Sequence, residues 1–110
     1  MPMYMTQFSY STESVKGLVH KPHNRREAAA KIFEAAGGSL KELYYCFGEY
    51  DGVAITEFPA NTDLAAAALV VGASGAFSKI HTTALMEMDE AVKAMEKAHS
   101  ITTAYTKPGG

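Results

Sequence analysis

Hydrophobic and polar positions change period along this chain, and each change marks an element. From Met3 to Tyr10, Tyr4, Phe8 and Tyr10 fall on one side and Met3, Met5 and Gln7 on the other. A period of two predicts a first strand. Val15, Leu18 and Val19 then recur at helical spacing behind Ser11 or Thr12, either of which can cap a helix. Pro22 interrupts it. Asn24, with Glu27 three residues later, resembles a capping box, and Ala28, Ala29, Ile32, Phe33 and Ala36 form an apolar stripe behind it. Gly37-Gly38 ends this stripe. The expectation is one long helical region kinked near Lys21-Pro22.

Ser39 to Phe47 and Val53 to Phe58 lose the helical period and are rich in aromatic or β-branched residues, as strands are. Gly48 to Gly52 between them suits only a hairpin. After Pro59, Thr62 can cap a helix with Leu64, Ala67, Ala68 and Val71 facing inward, closed by Gly72 to Gly75. Phe77 to Met86 predicts a fourth strand and Asp89 to Ala98 a last helix, with Val92 and Met95 on one side. Ile101 to Tyr105 reads as a short fifth strand. The order is β-α-β-β-α-β followed by a C-terminal helix and tail. That predicts an α+β, ferredoxin-like fold: a four-stranded antiparallel sheet with helices on one face. Residues 1–105 form one domain and 106–110 a flexible tail.

The strands do not alternate cleanly. On the second, Leu40, Tyr44 and Cys46 oppose Leu43, Tyr45 and Phe47; on the third, Val53 and Ile55 oppose Ala54 and Phe58. A sheet with one wet face should alternate. Both faces therefore want cover, and helices supply it for one only. A second copy packing sheet to sheet is the economical solution; the alternative is that the last helix and tail fold back.

Composition narrows the function classes. The chain has 110 residues, 47% hydrophobic, with a net charge of -2, which suits one folded domain. Arg25-Arg26 is the only adjacent basic pair, so no basic stripe for nucleic acid is present. Leu64 to Val71 is too short to cross a bilayer. The start Met1-Pro2-Met3-Tyr4 does not have the pattern of a signal peptide. Cys46 is the single cysteine, so an intrachain disulfide is impossible, and a cytoplasmic location is expected.

The run from Gly38-Ser39-Leu40-Lys41-Glu42-Leu43-Tyr44 to Gly48-Glu49-Tyr50-Asp51-Gly52-Val53-Ala54 resembles the core of the GYD-domain family, as does Thr83-Ala84-Leu85-Met86 in the fourth strand. The resemblance extends from the first strand to the start of the last helix. It implies a bacterial protein with the dimeric α+β barrel architecture, and a homodimer or higher homo-oligomer. It implies little about activity.

The hairpin has its own physical reading. Gly48 can take a positive φ, Asp51 can bond nearby amides to hold the turn, and Tyr50 can lie over it. Alternatively, Tyr50 and Asp51 rim a ligand mouth. His81 lies mid-strand with Lys79 and Thr83 on its face, a polar row on what reads as a central strand. Should His81 meet Glu57 and a tyrosine, the group could do general acid-base work; otherwise these are wet positions or cross-strand pairs. Catalytic candidates are therefore His81, Glu57 and Tyr44. Ligand-binding candidates are Tyr45, Tyr50, Asp51 and Lys79. His20 and His23 are three apart, but Pro22 spoils their register, so no metal site is expected. Cys46, between Tyr45 and Phe47, reads as an inert strand residue. No cofactor is expected. The function classes are a small-molecule binder or structural oligomer, then a cofactor-free isomerase or monooxygenase, and more weakly a haem protein using His81 or His99.

Overall fold

Strand pairing organises the chain around β1 (Met3–Tyr10), which is hydrogen-bonded on both sides in a computed structural model describing residues 1–110. The other strands are β2 (Ser39–Tyr45), β3 (Gly52–Glu57) and β4 (Phe77–Leu85), in the order β2-β3-β1-β4, all antiparallel. The helices are α1 (Thr12–His20), α2 (Arg26–Ala35), α3 (Asn61–Ala73) and α4 (Met88–Ser100). The β-α-β-β-α-β core is as the periodicity predicts. It differs in that β2 and β4 are edge strands, so the polar row around His81 lies on a sheet edge.

The first helical region is two helices. Ser11 caps α1, its Oγ accepting from the Ser14 amide at 3.2 Å. The chain leaves helical geometry at Lys21, before Pro22, whose ring disfavours helix in the preceding residue. At α2, Arg25 stands at the N-cap without a side-chain bond, while Asn24 Oδ1 accepts the Arg26 amide at 2.9 Å. Gly37, at φ 93°, closes α2 in the left-handed conformation that glycine adopts without steric cost. Ala60, not Thr62, is the N-cap of α3. Its first residue, Asn61, accepts a hydrogen bond from the Tyr4 hydroxyl, tying the helix to β1. Residues 102–104 form a turn of 3₁₀-helix where a fifth strand was expected.

Residue pairing sorts the two sheet faces. Tyr4 lies opposite Thr56, Thr6 opposite Ala54, and Phe8 opposite Gly52 and Ile80. These belong to the face under α2 and α3. Gly52 is needed there because a Cβ would run into the Phe8 ring. Tyr4, Phe58, Leu64 and Ala67 form the buried cluster, with Phe58 edge-on to both Tyr4 and Phe33. In β2 the register slips between Leu40 and Glu42. Lys41 is the extra residue of a β-bulge, and the slip puts Leu40 opposite Thr56 and Leu43 opposite Ala54, both toward the helices. The bulged carbonyl accepts from Arg26 Nη2 at 3.3 Å, and Lys41 Nζ pairs with Glu57 at 3.0 Å.

The other face carries Met3, Met5, Val53 and Ile55 with no helix over it. The last helix does not fold back: the one element that α4 packs on substantially is the 3₁₀ turn that follows it. Met88, Val92, Met95 and Ile101 are exposed. The radius of gyration is 17.9 Å, against ~13 Å for a compact chain of this length. No helix is long and apolar enough to cross a membrane.

Candidate functional site

The space between the sheet and helices α2 and α3 is incompletely filled. Five alanines, Ala28, Ala29, Ala54, Ala67 and Ala68, line it where larger side chains would meet, together with Ile32, Phe33, Leu64, Val71 and Ile80. A cavity of about 120 Å³ results, with Thr6 and Arg25 as its non-hydrophobic lining residues. A wider cleft of about 490 Å³ adjoins it, walled by α1, the α1–α2 connection and the end of β2. The two share Phe8, Tyr10, Arg25 and Leu43.

Polar groups gather where the two spaces meet. Tyr10 ends β1, its ring stacked on Phe77 with centroids 5.2 Å apart and edge-on to Phe8 at 5.5 Å. Burial holds its hydroxyl above the ordinary tyrosine pKa; Arg25 pulls it back as a charge and a hydrogen-bond donor, while Tyr45 and Asp51 push it further up. Asp51 Oδ2 accepts the Tyr10 amide at 2.9 Å, and the Asp51 amide donates to the Phe8 carbonyl at 2.8 Å. These bonds staple the β2–β3 connection to the end of β1. The Asp51 side chain therefore ties the hairpin to β1, where a side-chain bond within its own turn is expected, while its carbonyl closes the turn by accepting the Cys46 amide at 2.7 Å. Gly48 does not take a positive φ; the glycines that do are Gly37, Gly75 and Gly109.

The sequence candidates divide into separate places. Tyr45 and Asp51 line the wider cleft, as does Tyr44. Tyr50 crosses to the open face, where its ring centroid is 6.5 Å from that of His81 and 5.1 Å from Lys79 Nζ. Glu57 is remote from that group. It lies opposite Met3, whereas His81 lies opposite Gln7; four residues along a strand is ~13 Å. The Glu57 carboxylate is also held by Lys41. Tyr44 donates to Glu42 Oε2 at 2.6 Å, and this bond, with the charge of Glu42, raises its pKa. The three catalytic candidates are therefore not brought together. His81 and His99 are both exposed and outside the cavity, so the fold places no imidazole there for a haem. No cluster of metal-ligating side chains forms.

Two residues at the centre of the site, Tyr10 and Arg25, were not among those candidates. Tyr10 read as one more apolar strand residue and Arg25 as half of a basic pair. The signal available is their position at element boundaries: Tyr10 closes β1, Arg25 opens α2, and both reach one cleft.

A sheet half covered by helices over an apolar cavity, its mouth carrying tyrosine and arginine, defines a small α+β domain of the ferredoxin-like kind. Solved structures share that fold. MtbAldR is 12% identical with a TM-score of 0.56, over 78% of this chain and 52% of that one. TTHA0845 from Thermus thermophilus is 15% identical with a TM-score of 0.52, over 79% and 95%. No curated protein is significantly similar in sequence. The GYD domain profile matches residues 4–95; the chain belongs to the GYD-domain family.

Proposed function

We propose that this protein binds a small molecule between its sheet and helices and acts as a homodimer or higher homo-oligomer. The observation that carries the binding reading is the cavity itself. Protein interiors are close-packed, yet here five alanines leave room under two helices beside an open cleft. Apolar walls with a few convergent polar groups at the mouth are the usual make-up of a ligand pocket. Self-association is supported by the uncovered sheet face and by the exposed apolar side of α4. A cytoplasmic setting fits the single unpaired thiol of Cys46.

A cofactor-free enzyme of isomerase or monooxygenase type is the second reading, and Tyr10 favours it. A phenol kept protonated beside a cationic arginine can donate a hydrogen bond to a ligand carbonyl.

Binding of a neutral apolar probe of one ring, toluene, followed by amide shifts in the full chain, tests the first reading. Shifts should centre on Ala28, Ala29, Ala67 and Ala68 and disappear in Ala68→Leu, which fills the space. Absence of shifts at millimolar toluene would remove the cavity as a binding site. Light scattering that reports a monomer at every concentration would remove the oligomer.

A further inference from the structure

Arg25 has a position that packing alone does not explain. It is the only charged residue lining the apolar cavity. The one ion pair in the chain is Lys41–Glu57, so no carboxylate of the chain neutralises Arg25. Its neighbour Tyr10 is a neutral donor. Around the adjoining cleft stand Arg26 and His23, against Asp51 as the sole acid. Asp51 Oδ2 is already taken by the Tyr10 amide, and Arg26 is held by the Lys41 carbonyl. The charges of Arg25 and Arg26 against Asp51 leave one net positive charge at the mouth, where a guanidinium fork in no ion pair stands beside a phenol, both able to donate.

We propose that the ligand is a small monocarboxylate with a compact apolar body, its carboxylate on Arg25 and Tyr10 and its body in the cavity under α2 and α3. This rests on the binding reading above and assigns its chemistry. Guanidinium forks match carboxylates in two parallel hydrogen bonds. A single lining cation suits one negative charge; a phosphate monoester carries nearly two and calls for more donors. The size of the body follows from the cavity of about 120 Å³, close to the ~150 Å³ of an apolar protein cavity that holds benzene. A branched aliphatic group or one aromatic ring fits that space, and a long acyl chain does not.

The test uses benzoate, benzyl alcohol, phenyl phosphate and acetate, titrated calorimetrically into the full chain and into Arg25→Gln. Arg25 is exposed and makes no side-chain cap on α2, so the variant keeps the fold, which circular dichroism verifies. Benzoate should bind more tightly than benzyl alcohol and phenyl phosphate, and acetate should not bind. Arg25→Gln should weaken benzoate roughly ten- to a hundredfold, the range of a lost hydrogen bond to a charged group, and leave benzyl alcohol unchanged. Arg25→Lys, which keeps the charge and loses the fork, should fall between. Equal binding of benzoate and benzyl alcohol, unmoved by Arg25→Gln, overturns the assignment while the cavity stands as a neutral site. Tighter binding of phenyl phosphate than of benzoate overturns it in favour of a dianion. If neither benzoate nor benzyl alcohol binds, the cavity reading fails and this inference with it.

Discussion

Thr56 is fully buried, and its hydroxyl has no hydrogen-bond partner. It lies mid-strand on β3, between Tyr4 of β1 and Leu40 of β2, facing the helices. Thr56→Val exchanges the hydroxyl for a methyl group of similar volume and leaves the strand geometry alone. Leaving a buried hydroxyl unsatisfied costs about 1–3 kcal/mol, and an added buried methyl contributes up to ~0.8 kcal/mol. Some of this is offset by imperfect fit of the new methyl, so the expected gain is ~1–2 kcal/mol. With an unfolding entropy of ~2.1 cal/mol/K per residue over 110 residues, that raises Tm by ~4–9 °C. Urea denaturation at one fixed protein concentration is the measurement: the midpoint should rise with the slope unchanged. Thr56→Ser keeps the hydroxyl and loses the methyl; Thr56→Ala loses both and opens a small void. The expected order is Val above wild type, then Ser and Ala below it. A destabilised Thr56→Val would refute the reasoning, because it would mean the hydroxyl is satisfied in solution.

Two other outcomes follow from the site. Asp51→Ala should cost about 1.5–3 kcal/mol, since it leaves the Tyr10 amide without its charged acceptor, while Asp51→Asn, which keeps an acceptor oxygen, should recover part of it in the same urea titration. The folded chain raises the pKa of Tyr10 above its ordinary value of 10.0, so its contribution is fully present below the unfolded value of ~10 and is lost as pH rises from there through the folded pKa; phenolate absorbance should show two late-titrating tyrosines, Tyr10 and Tyr44, of which Tyr10→Phe removes one.

How much of this could be read from the residues varies with the kind of interaction. Local signals carried the element order: the glycines after α2, Ser11 before α1 and the alternation of β1 each act within a few residues. The faces of β2 depart from strict alternation for a physical reason. Strict alternation separates Leu40 from Leu43, and only the bulge at Lys41 brings them to one side; its partners, Arg26 and Glu57, are distant in sequence. Part of the two-sided apolar pattern was therefore a register effect, while Met3, Met5, Val53 and Ile55 do lie on the uncovered face. The residues of the expected fifth strand had no edge to join that their local sequence could reveal, and they closed into a 3₁₀ turn. The cavity was illegible for another reason: alanines in a helix read as good helix formers, and the void they leave exists only once two helices and a sheet meet. Thus Tyr45 and Asp51 could be named from the chain, whereas Tyr10 and Arg25 needed the fold to bring them together.

The detached position of α4 bears on how the protein unfolds. Thirteen residues are near the lower limit at which a helix holds in water without tertiary support, and α4 obtains almost none from its own chain. If the proposed oligomer is what covers α4, its helical content depends on how many other copies are nearby. On dilution the far-ultraviolet helical signal would fall before the sheet is lost. Tm would then vary with protein concentration, as expected for any folded state stabilised by mass action. A substitution at Val92 or Met95 would act in the same way as dilution. For this chain, a stability quoted without its concentration would describe the sample as much as the molecule.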